Sequence, residues 1–141
     1  MTSAGSVTAV PAQHGPDGTE HIVGPVRGFV LQAPDEPVVY VSGDNASLPV
    51  VQQVADRFPD IDVAVLFACG ARTPVLEAFL TLAGEQSVAA AHILGMPRVH
   101  PVHTDGWAHF TEDGRTRRAA FALAGLSHLL LPVRAGVAVA I

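Results

Sequence analysis

Apolar residues recur along the chain with two different spacings, which divide it into predicted strands and predicted helices. Short apolar runs bounded by Pro, Gly and Asp residues predict strands. One of them, "DVAVLFA", is continuous enough to be covered on both faces of a sheet. The predicted strands cover residues 26–33, 38–44, 62–68 and 98–103, and two more, "LLLPV" (129–133) and "GVAVAI" (136–141), follow near the end of the chain.

Helical spacing of apolar residues, together with start and stop signals, predicts four helices. The first has Ser47 as its N-cap candidate and Pro49 in its first turn. Thr73 followed by Pro74 gives a second start signal, and Gly84 is the expected stop of that helix. The four predicted helices cover residues 47–58, 73–82, 87–94 and 117–126.

The alternation of these strands and helices indicates an α/β layered fold. A chain of 141 residues suits one domain with its own core. Residues 1–10 are small and polar without a clear period, so we expect a flexible N-terminal tail or the remnant of a strand there. The domain itself is expected over residues 11–141.

The composition excludes several classes of function. Hydrophobic residues make up 49% of the chain, charged residues only 15%, and the net charge is -5. All the basic residues are arginines, which excludes a Schiff-base lysine and a phosphate-loop lysine. The arginines are scattered except at 115–118, where a solvated helix start is expected, so we predict no nucleic-acid surface.

Cys69 is the single cysteine, so no internal disulfide forms and a reducing compartment is expected. Its place at the end of an apolar run favours a small buried residue over a catalytic thiol. The sequence has no apolar run of membrane-spanning length and no leader-like start. We therefore expect a cytoplasmic protein with no membrane partner.

Three polar side chains lie in loops beside predicted strands: His14 in "QHGP", Asp44 in "SGDN" and His103 in "PVHTDGW". Loops after the strands of layered α/β folds commonly carry functional groups. Imidazole and carboxylate groups are the ligands that a zinc ion takes. Each residue taken alone also suits an ordinary turn, so both interpretations stay open.

The stretches "PAQHGP", "GFVL…VVYVSGDN" and "HPVHTDGWAHF", in that order, resemble the metallo-β-lactamase fold superfamily. The resemblance runs from about Val10 to Ile141 and is greatest to metal-dependent hydrolases akin to ascorbate-phosphate lactonase. It implies that His14 binds one metal, that Asp44 bridges two metals and that His103 binds the second.

The chain departs from this family at its main metal motif, because H-x-H-x-D-H is absent. The resemblance therefore implies the C-terminal half of an αβ/βα sandwich, with a mixed sheet and flanking helices. Such a half, truncated relative to the family, supplies at most two ligands per metal, whereas catalytic zinc usually takes three or more. Activity of this chain alone is accordingly in question.

The resemblance also implies a chemistry. One or two zinc ions, with manganese or iron as alternatives, would activate a hydroxide that attacks an ester, lactone, amide or phosphoester of a small molecule. Trp107 is a candidate pocket wall, although it also suits ordinary packing. Arg72 is a candidate contact for an anionic substrate, although it also suits a surface position.

Two other functions compete with a hydrolase. The chain could be a non-catalytic half-domain that pairs with itself or with a partner chain, because a missing half would leave one sheet face and a strand edge uncovered. It could also be an unrelated doubly wound binding domain. The sequence lacks a Gly-rich phosphate fingerprint, which disfavours this last class.

Overall fold

A computed structural model describes residues 4–104, 106–132 and 134–141, and its strands form one five-stranded sheet. β1–β2 and β2–β3 pair antiparallel, whereas β3–β4 and β4–β5 pair parallel. β1, β3, β4 and β5 consequently run in the same direction and end at the same edge of the sheet. The strands are β1 (Ser6–Pro11), β2 (Arg27–Gln32), β3 (Val39–Val41), β4 (Val63–Phe67) and β5 (Arg98–Val102).

Two of the helices begin at a side-chain cap. The Ser47 hydroxyl accepts a hydrogen bond from the Val50 N–H at 3.3 Å, as its predicted capping role requires. The Asp113 carboxylate accepts from the N–H groups of Arg115 and Thr116. The helices are α1 (Glu20–Val23), α2 (Leu48–Arg57), α3 (Gly84–Ile93) and α4 (Gly114–Leu123), and a 3₁₀ turn covers Ser127–Leu129.

One face of the sheet packs against α2, α3 and α4. Val30, Tyr40, Ala64 and Val99 are consecutive partners across β2 to β5, and all four are fully buried. Val54 and Phe121 extend this core onto the helices. The predicted α/β fold, with a mixed sheet and flanking helices, is therefore confirmed.

The opposite face, called the open face below, is apolar and only partly covered. Phe29 and Leu31 on β2 keep 41% and 37% of their surface exposed, and Val7 on β1 keeps 68%. Residues 137–141 lie beside this face, where their valines and Ile141 help to line a cavity of about 230 Å³. The apolar part of the open face comprises Val7, Phe29, Leu31, Val39, Val41, Val63 and Val65, and β5 adds Arg98 and His100 to the same face.

The helix predicted at 73–82 is wrong. Thr73 and Leu76 form an isolated bridge instead. The N–H groups that follow bond outside any helix: the Leu80 N–H donates to Ala71 O at 2.7 Å and the Leu82 N–H donates to Asn45 O at 3.0 Å. These bonds take the groups that a helix would need. The expected stop, Gly84, is instead the first residue of α3.

Both ends of the chain also differ from the sequence prediction. Ser6–Val10 pair with β2 along its whole length, so the strand alternative applies to this part of the expected tail. Of "LLLPV", Leu130 forms an isolated bridge with Val99 of β5, and the Leu131 N–H donates to Val99 O at 2.8 Å. Val133 lies outside the described residues. Residues 136–141 form no strand in the described structure. None of the helices described here has the length and apolar content that a transmembrane segment requires.

Candidate metal-binding site

The shared edge of the sheet brings together loops that are distant in sequence. His14 follows β1, Asp44 follows β3, Cys69 follows β4 and His103 follows β5. Because the four strands run in the same direction, these loops gather at one edge. Binding sites of open α/β sheets commonly form at the carboxyl ends of the strands.

Asp44 and His103 are in contact at this edge. Asp44 Oδ1 lies 3.5 Å from His103 Nδ1, and both side chains are about one-third exposed, at 32% and 31%. Asp44 Oδ1 itself is buried and accepts no hydrogen bond from the described residues. A buried carboxylate oxygen without a donor is costly, so this atom is available for a cation or a proton.

The backbone of His103 is unusual. Its φ of 57° lies in the left-handed region, which residues other than glycine rarely adopt, although His is among the residues enriched there. The imidazole ring packs between Phe67, at 5.2 Å between ring centroids, and Phe110, at 4.5 Å. These aromatic contacts hold the ring at the edge of the sheet, beside Asp44.

Cys69 is a third side chain at this edge, and sequence reasoning did not place it there. The thiol is fully buried, as predicted, with Sγ 3.2 Å from Thr81 Oγ1 and 3.5 Å from His103 Nδ1. Burial raises the pKa of Cys69, opposed by the Thr81 hydrogen bond, so the side chain stays a neutral thiol near neutral pH. The contact depends on the parallel pairing of β4 with β5, for which the sequence carried no signal.

His14 lies in a loop tied to the neighbouring loops. The Gln13 N–H donates to Asn45 Oδ1 at 3.0 Å, and the Gly15 N–H donates to Leu80 O at 3.2 Å. The imidazole Nδ1 of His14, however, lies 3.3 Å from the carbonyl of Val23. The structure thus holds the His14 loop at the shared edge but directs this ring nitrogen to a backbone oxygen.

Asn45 organises this edge, and sequence reasoning missed it. It is fully buried and its side chain accepts from the N–H groups of Gln13 and Ser47 while donating to Ser47 O. Its backbone carbonyl accepts from Leu82. The signal for this role was its position directly after Asp44 and two residues before a helix cap.

Asp44 and His103 fit a metal ion as two of its ligands. Two ligands of a tetrahedral zinc ion lie about 3.4 Å apart, given bond lengths of about 2.1 Å, and the observed separation matches this. The described residues nevertheless contain no group of three or more His, Cys, Asp or Glu side chains placed to hold a metal. His14 therefore does not complete the pair in this arrangement.

Trp107 and Arg72 lie in the loops beyond this pair. Trp107 is 66% exposed, and its ring centroid is 5.9 Å from that of His109. The Arg72 guanidinium stacks 4.2 Å from the centroid of the Phe79 ring. Their roles as a pocket wall and an anion contact stay predictions.

Comparison with known proteins relates this chain to a shared fold. No family model and no curated protein matches the sequence. The isothiocyanate hydrolase from Delia radicum gut bacteria superposes with a TM-score of 0.82 at 18% identity, over 90% of this chain and 50% of that one. A possible metal-dependent hydrolase from Veillonella parvula superposes with a TM-score of 0.85 at 18% identity, over 94% and 53%.

A metallo hydrolase from the archaeon Ignicoccus hospitalis also superposes, with a TM-score of 0.62 at 22% identity, over 87% of this chain and 47% of that one. At these identities the likeness shows the fold. The chain spans about half the length of each of these neighbours.

Proposed function

We propose that this chain is the part of a metal-dependent hydrolase that contributes two ligands, Asp44 and His103, to the metal site. The observation that carries the proposal is the buried Asp44 Oδ1, which has no hydrogen-bond donor among the described residues and faces His103 Nδ1 at 3.5 Å. The neighbours in fold support the class of reaction, since their names describe hydrolases.

Zinc is the proposed metal, because a carboxylate and an imidazole suit it, and one or two ions are proposed for the completed site. A bound divalent metal supplies activation of water and polarisation of the scissile bond. The proposed substrates are small molecules with an ester, lactone, amide or phosphoester bond. The ligands beyond Asp44 and His103 are proposed to come from a polypeptide segment outside residues 4–141.

The side chains of this region have separable roles in the proposal. Asp44 contributes negative charge, which offsets the charge of the metal. His103 contributes a neutral Nδ1, which requires its proton on Nε2. Phe67 and Phe110 orient that ring. Cys69 has Thr81 as a second partner, so its thiol can leave Nδ1 without losing its hydrogen bond.

Zinc titration of the purified chain by calorimetry tests the proposal, with zinc content measured in parallel by elemental analysis. We expect Asp44→Asn and His103→Gln each to weaken zinc binding at least about tenfold, because losing even a hydrogen-bonding partner of a ligand typically costs that much. Asp60→Asn and His92→Gln make the same chemical changes at exposed positions and should leave zinc binding unchanged.

Equal zinc affinity in the wild type and both site variants would overturn the assignment of these ligands. Circular dichroism of every variant separates a lost ligand from a lost fold. Parallel titrations with Mn²⁺ and Fe²⁺ identify the metal, because the preferred ion should show the largest difference between wild type and Asp44→Asn.

A second candidate function is a non-catalytic half-domain that pairs with a second copy of itself. The open face favours it, since Phe29, Leu31 and Val7 expose apolar surface that nothing in the described chain fully covers. A stable dimer that binds no zinc above the level of His103→Gln would favour this candidate over the hydrolase.

A further inference from the structure

Two arginine side chains on α4 lie side by side with no acidic partner within ion-pair distance among the described residues. Arg117 is only 4% exposed, whereas its neighbour Arg118 is exposed. A Cβ added to Gly114 would lie 3.1 Å from Arg118 Nη1 and 3.4 Å from Arg117 Nη2. The two guanidinium groups therefore lie on either side of the position that a Cβ of residue 114 would occupy. No side chain fills that position, because residue 114 is glycine.

The electrostatics of this pair are unfavourable as they stand. Burial lowers the pKa of Arg117, and the charge of Arg118 lowers it further, while Glu112 and Asp113 act in the opposite direction. Arg117 Nη1 donates to Ala68 O at 2.8 Å, which is its one hydrogen bond to the described residues. A guanidinium has five N–H donors, so most of its donors remain for a ligand.

A cavity of about 410 Å³ lies between α4 and residues 127–132, and Arg117 and Arg118 are among the residues that line it. Its described lining contains the hydroxyl of Ser127 and apolar walls that include Pro101 and Leu131, and it contains no acidic residue. This volume is typical of small-molecule sites, in which an apolar wall and a few polar groups together orient the ligand.

We propose that this cavity binds a small organic anion, with a carboxylate or phosphate on Arg117 and Arg118 and an apolar body against Pro101 and Leu131. An oxyanion pairs with guanidinium groups through short charge-assisted hydrogen bonds and relieves the repulsion between them. The residues that line this cavity do not include Asp44 or His103, so it is distinct from the candidate metal site. The proposal stands independently of the proposed hydrolase activity.

Calorimetric titration with benzoate and with phenyl phosphate, at low ionic strength, tests the proposal and distinguishes the two oxyanions. Arg118→Gln removes one cation while leaving the bond between Arg117 and Ala68 intact, and we expect it to weaken binding at least about tenfold. Arg115→Gln makes the same change on α4 at an exposed residue that lines a different cavity, and it should leave binding unchanged. Arg118→Lys keeps the charge and should give an intermediate affinity.

Benzyl alcohol serves as the neutral counterpart of benzoate and should bind at least tenfold more weakly. Absence of saturable binding by both anions would overturn the proposal. Equal weakening by Arg118→Gln and Arg115→Gln would also overturn it, because that result indicates attraction to net charge alone. Thermal unfolding of each variant verifies that the fold is retained.

Discussion

The two faces of the sheet are both apolar, but this chain covers them very differently. On β2, Val30 is fully buried beneath the helices, while its neighbours Phe29 and Leu31 keep 41% and 37% of their surface exposed. Exposure thus alternates with the two-residue period of the strand. Apolar area that stays in water contributes none of the roughly 25 cal/mol per Å² that burial provides.

This difference shows that an apolar pattern in a strand predicts a face suited to burial, but it does not predict that the same chain buries that face. The run "VAVLF" of β4 predicts cover on both faces, and the helices supply it on one. The neighbours in fold are about twice as long as this chain.

The largest expected effect comes from removing the same side chain on each face. Leu66→Ala, at a fully buried position under the helices, should lower the free energy of unfolding by about 2–5 kcal/mol, because it leaves a cavity. Leu31→Ala on the open face should cost less than about 1 kcal/mol. Urea unfolding followed by circular dichroism measures both, and equal losses would contradict the difference between the faces.

A smaller effect is expected on self-association. If the open face pairs two copies, the double change Phe29→Glu and Leu31→Glu should raise the dimer dissociation constant at least tenfold, which is about 1.4 kcal/mol. Leu123→Glu, at a 91% exposed position on α4, is the matched control. Sedimentation velocity over a range of concentrations measures the association. A wild-type chain that stays monomeric throughout would exclude pairing through this face.

The smallest effect concerns Tyr40, whose hydroxyl is buried on the helix side without a hydrogen-bond partner among the described residues. Tyr40→Phe removes this unpaired group and should stabilise the fold by about 1 kcal/mol at neutral pH. Burial also raises the pKa of Tyr40. Tyr40 therefore ionises more easily in the unfolded chain, where its pKa is about 10, than in the folded one. The free energy of unfolding of the wild type is at its full value below about pH 10 and falls as the pH rises above it.

Unfolding free energies of wild type and Tyr40→Phe across this alkaline range measure the pH effect. The chain has no lysine and a single tyrosine, so few other groups titrate there. Cys69, whose pKa is also raised, contributes equally to both proteins and cancels in the difference. Parallel curves for the two proteins would show that Tyr40 does not carry the dependence.

The helices and strands that were predicted correctly have start, stop or apolar signals within their own sequence. Ser47 and Pro49 mark the start of α2, and the apolar run of β4 is bounded by turns. The helix predicted at 73–82 had an equally clear start signal, yet hydrogen bonds from Leu80 to Ala71 and from Leu82 to the remote Asn45 override it. Such bonds depend on which loops meet at the same edge of the sheet. A local sequence pattern carries no information about that.

The candidate site also has a part that could be predicted from the sequence and a part that could not. That Asp44 and His103 follow strands was visible in the sequence, and parallel pairing then brings the two side chains together. The contact of Cys69 with His103 depends on the left-handed backbone of residue 103 and on the register of β4 against β5. Neither property leaves a residue pattern that sequence reasoning can detect.

The mixed pairing of the sheet also sets an order of assembly. β1, β2 and β3 are antiparallel neighbours along the chain, so they can pair as soon as Val41 has left the ribosome. β4 and β5 add later, each after a crossover that includes a helix. Asp44 is therefore synthesised well before its imidazole partner, and the contact between Asp44 and His103 cannot form until a further 59 residues have been added.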